Sequence, residues 1–233
     1  RPTALLFEGV AHLLDGQTDR ADSVLAHAVE VGTHVGGLPV ASLALAERTI
    51  VALGRDDWGQ ADDLAQRALM LVRAGHLDDY IMSALVNAVV ARTAVYRGEV
   101  SRAREHLMRT TRQRPLLTSA MPWLAVQTLL ELGHAYLALD DAAGAKAVLR
   151  QADDVVQQRP GLGILVGQAD ELHAKLDTLR GSTLGASGLT TAELRLLPLL
   201  PTRLTFAEIG ERLYISRHTV KSHATSVYRK LGA

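Results

Sequence analysis

An alanine-centred amphipathic helix, each time preceded by a short polar turn, recurs four times along most of this chain. Aligned on Ala21, Ala61, Ala103 and Ala145, the units lie 40, 42 and 42 residues apart, and the position four further on is Leu25, Ala65, Leu107 and Leu149. A small residue with an apolar one a turn later marks the contact stripe of a helix and lets a second helix lie close. The partner helices are expected at residues 3–14, 40–53, 80–96 and 122–139, and a lone helix at about 163–180 caps the stack. Apolar residues at three- and four-residue spacing, with almost no alternating β-branched pattern, predict an all-α fold. Units that bury their faces against neighbours build an α-solenoid with an extended concave surface for a partner. A non-repeating helical bundle is the plainer alternative, because the self-similarity rests on few positions.

In the fourth unit, Leu132-Gly133-His134-Ala135-Tyr136 resembles the tetratricopeptide signature, although the period exceeds the roughly 34 residues of that family. Residues 1–180 are therefore expected to form a TPR-like α-solenoid of about four helix pairs with a capping helix. Gly181 to Gly188 has flexible-linker composition, which leaves residues 189–233 as a small second domain.

That last segment repeats a helix-start signal. Thr190 with Glu193 and Thr205 with Glu208 are capping boxes, and Ser216 caps a third helix. Each cap lies inside a hydrophobic staple: Leu189 with Leu194, Leu204 with Ile209, Ile215 with Val220. The second and third helices are joined only by the stretch around Leu213, Tyr214 and Ile215, as in a helix-turn-helix. At about 100° per residue, Val220, Ala224, Val227 and Leu231 share a core stripe on the third helix. His218, Ser222, Thr225 and Arg229 fall opposite, with Lys221 beside them. No acidic residue follows Glu211, whereas an ordinary solvated face would mix both signs. Lysine, hydroxyl and arginine side chains on one helix face are the groups that read base edges and hold phosphates in a major groove.

The segment resembles the LuxR-type helix-turn-helix domain of bacterial transcription regulators. The match runs in order and spacing through Leu189-Thr190, Glu193, Leu196-Leu197, Leu199-Leu200, Glu208-Ile209, Ile215-Ser216, Thr219-Val220-Lys221, His223 and Lys230-Leu231-Gly232. Ala192, Arg195, Arg203, Pro198 and Pro201 depart from the family pattern, and Pro198 is expected to kink the first helix. The resemblance assigns base contacts to Lys221, Ser222 and Thr225, and phosphate or packing roles to Thr219 and His223. With Thr205, Arg217, His218, Arg229 and Lys230 these make up the expected DNA-contacting set. The family's fourth helix, which commonly supplies a dimer contact, would follow Gly232, and Arg1 is not an initiator; both are expected of a C-terminal piece of a longer protein. Repeats followed by such a reader resemble MalT-like, large ATP-binding LuxR regulators.

From Ser182 onward seven Lys and Arg stand against three Asp and Glu, while the first 181 residues carry 18 against 22, so a net charge of zero hides a basic end. That asymmetry puts positive potential where a nucleic acid would lie. With no cysteine, thiolate metal sites and thiol catalysis are excluded. No apolar run reaches a membrane span and no signal peptide opens the chain, so a cytoplasmic location is expected. Phosphate-loop, H-E-x-x-H and G-x-S-x-G motifs are missing. Gly161, Gly163 and Gly167 echo a dinucleotide fingerprint, yet they follow Arg159-Pro160 rather than a strand, and read as a loop leading into a helix. Trp58, Tyr96, Trp123 and Tyr136 sit beside turns, where packing is the default and ligand stacking the alternative.

The expected function is a sequence-specific DNA-binding transcription regulator without enzymatic activity, cofactor or metal. Its repeats sense an unknown effector or protein in their groove, it binds duplex DNA as a homodimer, and RNA polymerase is left open as a further partner. A regulatory tail of a larger signalling NTPase, and a TPR-like scaffold with a helix-turn-helix that does not bind DNA, are the alternatives.

Overall fold

A computed structural model describes residues 1–185, 191–202, 204–213 and 217–231. Among these every regular element is helical, and the chain divides into two compact units, Arg1–Ala174 and Lys175–Ala233. The first unit pairs α1 (Pro2–Leu14) with α2 (Thr18–His34), α3 (Leu38–Gly54) with α4 (Trp58–Ala74), α5 (Ser83–Tyr96) with α6 (Val100–Gln113), and α7 (Pro122–Ala138) with α8 (Ala142–Gln158). Helix α9 (Ile164–Gly185) begins in it. Ala21, Ala61, Ala103 and Ala145 have no exposed surface, so the recurring alanines do mark helix contacts.

One turn geometry serves all four pairs. The residue two before each second helix is left-handed: Gly16 (φ 76°), Asp56 (60°), Gly98 (75°) and Asp140 (58°). The amide after it reaches back five residues, Gln17 donating to the His12 carbonyl at 2.8 Å, Asp57 to Ala52 at 3.0 Å, Glu99 to Ala94 at 2.9 Å and Asp141 to Tyr136 at 2.9 Å. Such a helix stop needs a positive φ, which glycine adopts freely and aspartate tolerates. Asp57 and Asp141 then cap α4 and α8, accepting from the Gln60 and Gly144 amides at 3.0 and 2.8 Å.

Two boundaries differ from expectation. Helix α5 starts at Ser83 rather than residue 80: the Asp78 carbonyl accepts from Ser83 Oγ and Gln113 Nε2, and the Tyr80 carbonyl accepts from these two and from the Ser83 amide three residues on, not from an amide four on. Helix α9 continues through Gly185, so residues 181–185 of the expected linker are helical; one glycine costs a helix only about 1 kcal/mol. Residues 186–188 lie outside the described residues.

The larger difference is the inside of the stack. Leu6, Leu43, Leu85 and Leu124, from α1, α3, α5 and α7, share one buried cluster. Gln127 Nε2 of α7 donates to Glu47 Oε2 of α3 at 2.8 Å, and Phe7 of α1 meets Trp123 of α7 edge-on at 6.4 Å. Beside Gly163, ahead of α9, the Leu14 carbonyl of α1 comes so near that an added Cβ would lie 2.1 Å from its oxygen. The repeats are wound tightly enough for the first and last pairs to meet, and their inner helices fill the space that a wider solenoid leaves open. The inner helices α3 and α5 are buried on most sides, Glu47 and Asn87 included, so the inside of the stack is packed core rather than the expected open groove. Trp58 and Tyr96 stack on each other at 4.0 Å, with Arg92 over the Trp58 ring at 5.8 Å. Among the described residues no helix is long and apolar enough to cross a membrane.

Candidate nucleic-acid interface

The second unit contains α10 (Thr191–Leu196), α11 (Phe206–Leu213) and α12 (Arg217–Leu231). Pro198 does not kink the first of these. The α-helix ends at Leu196 and tightens into a 3₁₀ turn over Leu197–Leu199, which accommodates the missing donor. Leu196, Ile209, Val220 and Ala224 form the buried centre, with Leu199, Leu204, Phe206 and Leu213 half-buried around it.

The second capping box is complete. The Thr205 amide and hydroxyl donate to Glu208 Oε2 at 2.7 and 2.8 Å, and the Glu208 amide donates to Thr205 Oγ1 at 3.3 Å. Thr205's amide and hydroxyl hold the Glu208 carboxyl below the usual carboxylate range, with Arg212 adding to them. Leu204 and Ile209 pack in the same cluster, as the staple requires. The cap at Thr190, the pair Leu189–Leu194 and the cap at Ser216 with Ile215 lie outside the described residues.

Along α12, Val220, Ala224 and Val227 are buried, and Lys221, Ser222 and Thr225 are exposed on the other side, with Arg217 exposed at the helix start. Thr219 and His223 are half-buried between the two faces. The Thr225 hydroxyl donates to the Lys221 carbonyl at 3.0 Å, which leaves its oxygen free to accept. The side chains of His218, Arg229, Lys230 and Leu231 lie outside the described residues. Thr205 is exposed just before a different helix, α11, with its hydroxyl engaged in the cap. The structure adds Tyr228, 44% exposed and two turns after Lys221, and Arg212, a phosphate-holding candidate from its charge, is exposed on α11. A count of seven residues from Lys221 could have found the tyrosine. Three faces of one small bundle thus divide the work: a buried stripe that orients α12, a capped α11 that supports it, and an exposed stripe of lysine and hydroxyl groups free of acid.

Residues 187–233 match the family model of bacterial regulatory proteins of the luxR family, GerE. This segment is a LuxR-family helix-turn-helix domain. Residues 187–233 thus carry a DNA-binding, transcription-regulating type of domain, and the helical repeats lie outside the match. No curated protein and no solved structure matches the chain.

Proposed function

We propose that the protein is a sequence-specific transcription regulator in which the LuxR-type domain reads duplex DNA and the helical repeats sense an effector or a partner protein, as in MalT-like regulators. The observation that carries the reading is the acid-free exposed face of α12, with Lys221, Ser222 and Thr225 on a helix whose opposite face is buried. Lys221 and Thr225 read bases; Arg217, Arg212, Arg229 and Lys230 hold phosphates. In this reading the protein acts in the cytoplasm, binds DNA as a homodimer, catalyses no reaction and needs no cofactor.

Titration of a labelled duplex across salt concentrations tests it. If about four phosphates per protomer are neutralised, log affinity falls against log salt with a slope of about −3 to −4. Lys221→Ala costs roughly 1–3 kcal/mol on the best site and relaxes sequence preference, whereas Arg217→Ala weakens all sequences alike. A flat salt response overturns DNA binding, and an unchanged ranking in a randomised-site selection with Lys221→Ala overturns the base-reading role.

A further inference from the structure

The repeats supply their own internal comparison, because three junctions join successive pairs. At the first, Arg55, which ends α3, pairs with Asp19 at 2.6 Å and lies 3.9 Å from Asp22 on α2. At the second, Arg97, which ends α5, pairs with Asp62 on α4. Asp22 and Asp62 each directly follow a repeat alanine. At the third junction the residue after the repeat alanine is Arg104, and the residue that ends α7 is Leu139, so neither half of the bridge is present. Nine residues after the repeat alanine, where the first junction has Glu30, the third has Arg112.

A cleft of about 490 Å³ occupies that junction, lined by Leu107, Met108, Tyr136 and Leu139 and edged by Arg104 and Arg112. Clefts of about 400 and 450 Å³ lie elsewhere on the repeats, so the lining of this one, rather than its volume, sets it apart. Met108 is 59% exposed at the mouth of the cleft and offers an apolar contact to a ligand. Tyr136 reaches the cleft because Gly144 stands before the repeat alanine; a Cβ there would sit 2.7 Å from the ring, and the other junctions have Gln60 and Arg102 at this position. The tyrosine hydroxyl lies 3.4 Å from Thr111 Oγ1, which puts two polar atoms beside the apolar wall. Arg104 and Arg112 are exposed and enter no ion pair among the described residues. The one acid in the lining, Asp141, accepts from the Gly144 amide at 2.8 Å, and the two arginines outnumber it.

We propose that this cleft binds a small amphipathic anion, with its apolar body against Leu107, Met108, Leu139 and Tyr136 and its carboxylate or other oxyanion held by Arg104 and Arg112. An arginine fork matches a carboxylate with two parallel donors, and a pocket that is apolar with a few convergent charges orients such a ligand. The inference rests on reading the repeats as the sensing unit, and gives that reading its ligand class and its place.

The full chain, labelled with ¹³C at the methionine methyls, is titrated with sodium octanoate, octan-1-ol and octylammonium. Met108 is expected to shift saturably with octanoate, more weakly with the alcohol and least with the amine, while Met70, also 59% exposed, stays still. Arg112→Glu weakens octanoate binding about tenfold or more, the loss of one charge-assisted contact. The double change Arg104→Asp with Leu139→Arg rebuilds the bridge of the other two junctions, so it keeps the thermal unfolding midpoint and abolishes binding. Equal shifts with the alcohol, equal shifts at Met70, or undiminished binding by these variants overturn the proposal. DNA affinity with and without octanoate separates it from the sensing reading: a saturated Met108 with unchanged DNA affinity supports the cleft and counts against sensing, whereas altered DNA affinity with a silent Met108 places the effector elsewhere and overturns the cleft.

Discussion

Glu47 carries a carboxyl with no exposed surface in the middle of the repeat unit. Burial pushes its pKa up to about 8; the hydrogen bond from Gln127 opposes this, and Glu131, held beside Arg92 at 2.9 Å, adds to it. Glu47 Oε1 and Gln127 Oε1 both lack partners, so a proton on Glu47 supplies a donor to a pair that is otherwise short of one. The folded state then keeps this proton up to about pH 8, while the unfolded chain releases it near the ordinary 4.5. Because the folded state binds more protons across that window, its stability falls as pH rises from 4.5 to 8 and levels beyond. Glu47→Gln keeps the shape without the proton. Its stability advantage over the parent, from urea midpoints, is expected to grow by about 1.4 kcal/mol per pH unit through the window and then stop. Parallel pH profiles for the two proteins would show that Glu47 is not held protonated.

Helices rather than side chains are what the repeat alanines organise, and a size change there is felt by a whole pair. Ala61 has no exposed surface, whereas Ala74 at the end of the same helix is exposed. Ala61→Leu overpacks α4 and is expected to cost about 1–3 kcal/mol, with Ala74→Leu nearly silent. Equal urea midpoints for the two variants would mean that Ala61 is not a close-approach point. The pairs were legible beforehand because a 3.6-residue pattern and its helix stops are both local. The late start of α5 was not, since it depends on Gln113, thirty residues from Ser83 in sequence, reaching the Asp78 and Tyr80 carbonyls. Closure of the inner helices had a signal that repeat counting passed over: Leu43 to Ala46 and Ala88 to Ala91 are apolar without a polar face, which calls for burial on every side. At the interface, the exposed and buried faces of α12 followed from the same periodicity, and Lys221, Ser222 and Thr225 stand where it puts them. The three-residue spacing already paired Thr205 with Glu208 as a capping box, and the geometry shows that this pairing engages the hydroxyl also expected to contact DNA.

Across the whole repeat unit, the meeting of first and last pairs changes how the stack should unfold. An open solenoid is a row of nearest-neighbour contacts and frays from its ends, whereas a stack whose ends touch loses that freedom. Gly163 sits at the join with φ 54°, and a Cβ would lie 2.1 Å from the Leu14 carbonyl oxygen. Gly36, with φ 73° and nothing within 4 Å of an added Cβ, isolates the backbone cost alone. Gly36→Ala is expected to cost about 1 kcal/mol, and Gly163→Ala about 3 kcal/mol or more, because the backbone of α1 must also move. The two tryptophans report on different places, Trp123 at the α1–α7 seam against Phe7 and Trp58 against Tyr96. In urea, single-tryptophan forms made by Trp58→Phe and by Trp123→Phe are expected to give one common midpoint, each referred to its own circular dichroism transition. Adding Gly163→Ala moves the Trp123 transition to lower urea than that of Trp58, because the seam opens before the rest of the core. A common midpoint that survives Gly163→Ala, with a loss no larger than that of Gly36→Ala, would mean that the contact of α1 with the segment leading into α9 contributes nothing to the cooperativity of the unit.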